Sequence, residues 1–320
     1  MKVKKALAIA TGAVVGLHLV SLAVNHVLSK KELEGIMPTG NLVNVNGKNM
    51  HVRTMGNGKK TVVLLPGLSM PLPSVDFAPL MRELSENYTV ACVEYFGYGF
   101  SDKADTPRTN ENYTEEIRAG LLEAGLKPPY VLMPFSGSGI YSEYYATKYP
   151  EEVEALVLLD TTSSAEKYPD IPKFVYQLGK AQQAIGFGRY VNPLFLPKMM
   201  GINVEEGYTK EEIEQFFKFC NHAYNDTLIE QNIVFPSNIN EVMGMEFPEE
   251  VPVLCLTSAD AGDKSENYRD DHLKKLGEHA QCKVVEGSNH LNFYHKRECR
   301  EAICKALDEF LASESKENLL

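Results

Sequence analysis

The stretch "VLMPFSGSGIYSEYYA", residues 131–146, decides how this chain is read. It opens as an apolar run, turns through Ser136, Gly137, Ser138 and Gly139, and continues like a helix. A strand, a sharp turn and a helix form the setting in which a small-x-Ser-x-small pattern carries chemistry. A serine in such a turn is strained, and its hydroxyl is raised above the sheet. The flanking residues must be small because strand and helix approach closely there. Centring on Ser136 gives Pro134-Phe135-Ser136-Gly137-Ser138, with Gly139 next for helix–strand packing. Centring on Ser138 would put Ile140 at a small position, so Ser136 is the better candidate nucleophile. Pro134 stands where glycine is usual, and proline has no N–H for a ladder bond. The plain alternative is a Gly/Ser helix cap with no chemistry.

Outward from that turn, continuous apolar runs recur: "TVVLLPG", "YTVACVEY", "PYVLMPF", "VEALVLLD", "VPVLCLTS" and "CKVVEGSNH". Such runs read as strands buried on both faces. Helical patterns lie between most of them, at 77–86, 115–124, 139–149, 268–277 and 296–311. Buried strands alternating with helices predict an α/β fold, a mostly parallel doubly wound sheet. Ahead of them, "GNLVNVNGKNMHVRTMGNG" alternates about Asn46-Gly47, a hairpin signal that adds antiparallel strands at one edge. Residues 161–250 break the pattern with helical stretches such as "TKEEIEQFFKFCNHAYND" and no buried strand. A helical insertion there, before the penultimate strand, would lie over the strand C-termini, where open α/β sheets bind ligands. The expected organisation is an N-terminal segment at 1–30, a core at 41–160 and 251–312, and a helical cap at 161–250.

The bulk composition excludes some functions. The formal charge of -11 over 320 residues, with no dense Lys/Arg cluster after residue 40, argues against a nucleic-acid binder. The N-terminus reads differently. Lys2, Lys4 and Lys5 precede a mostly apolar run from Ala6 to Val24. A run of roughly 20 apolar residues can cross a bilayer, and a basic flank sets an N-in orientation. The expectation is a membrane anchor at residues 6–28 with the rest of the chain extracytoplasmic. The alternatives are a signal cleaved near "SLA" at 21–23, giving a secreted protein, or an ordinary amphipathic helix. The six cysteines show no CxxC, no disulfide framework and no zinc spacing. Unpaired thiols favour a reducing setting, in tension with export. No cofactor motif is present.

A nucleophilic serine needs a base, and the base needs an orienting acid. "VVEGSNHLNFYH" puts His290 just after the last apolar run, with His295 entering the final helix. "VPVLCLTSADAGD" puts Asp260 at the end of the penultimate run, with Asp263 in the loop behind it. Asp260 is the better candidate because it lies nearest the sheet edge; Asp160, ending "ALVLLD", is a weaker alternative, since an acid there could also reach the histidine. The oxyanion of a tetrahedral intermediate needs two preorganised donors, which points to the backbone N–H groups of Gly137 and Leu68.

On these residues the chain resembles the α/β-hydrolase fold superfamily, in its capped serine-hydrolase branch, over roughly residues 41–312. The carrying motifs are "LLPGLS", "EYFGYGFSDK", "PFSGSG", "TSADAGD" and "GSNH". Pro66, Glu94 and Phe135 stand where the family usually has histidine, aspartate and histidine. The resemblance implies the order Ser136, Asp260, His290. It also implies hydrolysis of an ester, thioester or amide of a small-molecule acyl substrate through an acyl-enzyme, without a cofactor. Serine at the elbow sets the chain apart from epoxide hydrolases and dehalogenases of this fold, which use aspartate. The absence of tryptophan is a second departure from haloalkane dehalogenases. The same triad on this fold could cleave a C–C or peptide-type bond, and the fold also serves non-catalytic ligand-binding or signalling proteins. Phe174, Tyr176, Phe187, Phe195, Phe216, Phe217 and Phe219 in the insertion tip the expected acyl group towards the apolar.

Overall fold

The computed structural model describes residues 2–260 and 266–317; Asp263 lies outside them. The alternating stretch gives β1 (Asn41–Val45) and β2 (Lys48–Met55), and the six apolar runs give β3 (Thr61–Leu65), β4 (Thr89–Glu94), β5 (Tyr130–Pro134), β6 (Val153–Leu159), β7 (Val253–Ser258) and β8 (Gln281–Val285), of which the edge strand β8 is mostly exposed rather than buried. They form one sheet in the order β1-β2-β4-β3-β5-β6-β7-β8. β1 and β2 pair antiparallel about the Asn46-Gly47 turn, and β2 pairs antiparallel with β4. The remaining pairs are parallel. Valine and leucine fill β3 to β6 because helices cover both faces, and a strand buried on both sides has no polar alternation to show.

The helices are α1 (Lys2–Glu32), α2 (Pro73–Asp76), α3 (Ala78–Leu84), α4 (Asn110–Glu123), α5 (Ser138–Lys148), α6 (Lys173–Ala184), α7 (Phe187–Met200), α8 (Lys210–Cys220), α9 (Asp226–Met243), α10 (Glu266–Leu276) and α11 (Arg297–Glu317). Helices α6 to α9 all fall between β6 and β7. α8 starts from a full capping box, Thr209 with Glu212, and α9 starts from Asn225, whose side chain accepts the Leu228 N–H. Phe216 and Phe219 of α8 pack with Leu72, Val75, Ile202 and Tyr208 in a small second core beneath the insertion.

The N-terminal expectation is corrected. Among the described residues no helix is long and apolar enough to cross a membrane, so the membrane anchor at residues 6–28 and the extracytoplasmic placement built on it fall. The physical reason lies in the second half of α1, where the polar residues make specific contacts. The Ser21 hydroxyl donates to the Ile185 carbonyl at 2.6 Å, and the Asn25 amide donates to the Gln183 and Ala184 carbonyls at 2.9 Å each. Arg189 donates to Asn25, Glu32 and Ser29. This face of α1 is tied to the turn between α6 and α7.

Candidate active site

The turn after β5 is pinned from three sides. The Phe135 N–H donates to Leu65 of β3 at 3.0 Å, the Ser136 N–H to Leu159 of β6 at 3.1 Å, and the Thr162 N–H to Ser136 at 3.1 Å. The Phe135 bond resumes the pairing that Pro134 cannot make. Ser136 sits at φ +54°, in the left-handed region that costs a side-chain-bearing residue. The small neighbours are needed: a Cβ on Gly137 would lie 2.6 Å from Leu68 Cγ, and one on Gly139 2.6 Å from Thr161 Cβ.

The Ser136 hydroxyl lies 3.0 Å from His290 Nε2. Ser138 points the other way; it is fully buried, and its hydroxyl bonds the Pro66 carbonyl and the Tyr95 phenol. His290 sits in a braced loop. Asn289 Oδ1 accepts the N–H groups of Leu291 and Asn292 at 3.0 Å each, and Ser288 donates to Val285 at 2.6 Å.

The carboxylate on the far side of His290 is Asp160, with Oδ2 2.6 Å from Nδ1. Asp260, expected there, makes no hydrogen bond to His290 among the described residues; it lies exposed past the end of β7, on the wall of the same cavity. Geometry explains the difference. β6 is the neighbour of β5 and β7 is one strand further out, so the end of β6 is nearer the turn. Asp160 leaves β6 at φ +44°, with its N–H on the Leu256 carbonyl at 2.7 Å and its Oδ1 accepting the Ser258 N–H at 2.8 Å. Burial by itself would push this carboxyl up; the hydrogen bonds from His290 and Ser258 outweigh it and hold it below its ordinary value.

Two backbone donors complete the arrangement. Among the described residues neither the Leu68 nor the Gly137 N–H has an acceptor in the protein. The loop carrying Leu68 presses on the turn: a Cβ on Gly67 would lie 3.0 Å from Ser136 Cβ.

Phe135 is the residue whose role the sequence did not reveal. Its ring stacks on the His290 imidazole, with centroids 4.9 Å apart at 19°, and meets Tyr294 edge-on at 4.9 Å. The signal was an aromatic immediately before the serine, but only the fold brings it against His290.

A cavity of about 720 Å³ opens beside Ser136 and His290, lined by Thr161, Thr162, Glu166, Lys167, Asp260 and Asn289 among others. None of the seven aromatic residues of the insertion singled out above lines it. Phe174, Phe187 and Phe195 are exposed, while Phe216 and Phe219 are packed in the second core.

Comparison with known proteins agrees with this architecture. A model of the alpha/beta hydrolase fold family matches residues 60–201. The chain is similar to the YbdG protein of Bacillus subtilis strain 168, at 27% identity over 275 residues and 83% of each chain. It is also similar to 2-(acetamidomethylene)succinate hydrolase of Mesorhizobium japonicum, at 29% identity over 175 residues, 52% of this chain and 60% of that enzyme. Among solved structures, Cfl2 of Burkholderia cenocepacia superimposes with a TM-score of 0.68 at 16% identity, over 84% of this chain and 94% of that one. With the strand order above, the chain has the α/β-hydrolase fold. It is a hydrolase on that fold.

Proposed function

We propose that the protein is a serine hydrolase that cleaves an ester, thioester or related acyl bond, with Ser136 as nucleophile, His290 as base and Asp160 as the orienting acid. The carrying observation is the relay itself: Ser136 Oγ to His290 Nε2 at 3.0 Å, and His290 Nδ1 to Asp160 at 2.6 Å. Both lie within hydrogen-bond reach, which proton transfer requires. Ser136 Oγ attacks the acyl carbon as its proton passes to His290 Nε2. Asp160 keeps the imidazole proton on Nδ1, leaving Nε2 free to accept. The oxyanion accepts from the Leu68 and Gly137 N–H groups. His290 then gives its proton to the leaving group. Water repeats the sequence on the acyl-enzyme and releases the acid.

In this reading residues 41–160 and 251–312 are the catalytic core and 161–250 the cap. The cavity wall is mixed, with Glu166 and Lys167 beside Tyr168, Pro169 and Leu291, and the cap aromatics that suggested an apolar acyl group take no part in it. A fluorophosphonate probe is expected to label the wild type and Ser138→Ala but not Ser136→Ala. Equal labelling of wild type and Ser136→Ala would end this assignment. A series of p-nitrophenyl esters of increasing acyl length measures how deep an acyl group the cavity takes.

A further inference from the structure

The loop that carries the Leu68 N–H does not stand alone. On either side of Leu68 the backbone bonds the same phenol: the Ser69 N–H donates to Tyr98 Oη at 3.0 Å, and Tyr98 Oη donates to the Gly67 carbonyl at 3.2 Å. Tyr98 is fully buried, and its phenol also touches the Gln231 side-chain amide on α9. The next residue of α9, Asn232, donates from Nδ2 to the Ser69 hydroxyl at 2.8 Å and to the Leu228 carbonyl at 2.7 Å. Ser69 itself is held at φ +60°.

The donor count of this cluster is informative. A phenol has one proton and two lone pairs. Its one O–H faces two acceptors, the Gly67 carbonyl and Gln231 Oε1, while the Ser69 N–H donates into Oη. A buried hydrogen-bond cluster that grips both flanking peptides restricts the loop between them. Burial also pushes the Tyr98 phenol well up, so it keeps its proton at working pH.

We infer that Tyr98 is a positioning residue for the oxyanion donor at Leu68, and that Gln231 and Asn232 of α9 tie this donor to the cap. The inference rests on the serine-hydrolase reading above. The phenol touches no substrate. It fixes the two peptides that flank the Leu68 N–H, and a donor that is not held in place loses most of its worth in the transition state. Tyr98 lies in "EYFGYGFSDK", and nothing in that stretch by itself points to the oxyanion loop.

The test compares wild type, Tyr98→Phe and Gln231→Met, with a separate aliquot of each labelled by a fluorophosphonate and the untreated enzyme used for kinetics. Wild type that neither labels nor turns over a p-nitrophenyl ester overturns the serine-hydrolase reading and this inference with it. In an active enzyme, Tyr98→Phe should lower kcat by about 10- to 100-fold, below the cost of deleting a donor outright. KM should hold steady. Binding of a trifluoromethyl ketone should weaken by the same factor as kcat/KM, because the serine adds to its carbonyl carbon and leaves an oxyanion in the site. The pH profile of kcat/KM should keep its wild-type shape. Gln231→Met should give a smaller loss in the same direction, and it carries the test if Tyr98→Phe does not fold. Wild-type kcat in the substituted enzyme, or a change in KM alone, overturns the inference and leaves the serine-hydrolase reading standing.

Discussion

His290 is held on three sides. Asp160 takes Nδ1, Ser136 faces Nε2, and the Phe135 ring covers one face. Each contact gives an expected outcome. Asp160→Asn should reduce kcat by ~10^3–10^4-fold, because an amide cannot hold the required tautomer. Asp260→Asn should leave kcat at the wild-type level; the reverse pattern in steady-state assays would return the acid to the end of β7. Phe135→Ala frees the imidazole to rotate and should lower kcat by ~10-fold, with Phe135→His retaining most of it through ring stacking. The pH sign follows from Asp160. Its folded-state carboxyl lies below the ordinary 3.8. Its charge is therefore present above that value and lost only as pH falls through the depressed one. Asp160 should accordingly affect the pH profile of kcat/KM only in strong acid.

At the scale of elements, α5 carries the serine turn and is itself anchored from beneath. Glu143 of α5 is fully buried; it accepts from His272 of α10 at 2.8 Å and from the Ser164 hydroxyl, and Lys275 lies 3.6 Å away. Ser164 belongs to the segment that follows Asp160, so one carboxylate joins α5, α10 and the acid loop. Burial would raise this carboxyl, but His272, Lys275 and Ser164 outweigh it and hold it low. Glu143→Gln takes the buried carboxylate away from Lys275 and should cost about 3 kcal/mol in urea denaturation. Because the folded-state value is depressed, that difference should be full at neutral pH and should shrink as pH falls through it. Helix positions were mostly legible from periodicity. The helix read at 139–149 is found at Ser138–Lys148, and the one read at 296–311 starts at Arg297 but runs to Glu317. The helix read at 115–124 begins earlier, at Asn110, because the Thr109 hydroxyl accepts the Asn112 N–H and caps it there. The single helix read at 77–86 is two, with Phe77 between α2 and α3.

For the whole molecule, α1 is the element whose setting was misread. Its length and apolar run matched a membrane span, yet Ser21, Asn25, Ser29 and Glu32 recur along one face and find partners on the insertion. Arg189 gathers three of them, and Glu32 also meets Asn221 and His222. Arg189→Ala should speed amide hydrogen exchange in residues 21–32 while β3 to β6 keep wild-type protection; unchanged exchange in α1 would show that the apolar contacts hold it without the arginine. By itself the sequence determined the strands, the serine turn and the histidine loop. Those depend on local rules: buried parallel strands are continuously apolar, and a crowded turn demands small residues at set positions. The choice of Asp160 over Asp260, the stacking of Phe135 on His290 and the grip of Tyr98 on the Leu68 loop were decided only by the tertiary structure. Each depends on which strand ends and loops become neighbours, and residues far apart in sequence meet there only once the sheet has set its strand order.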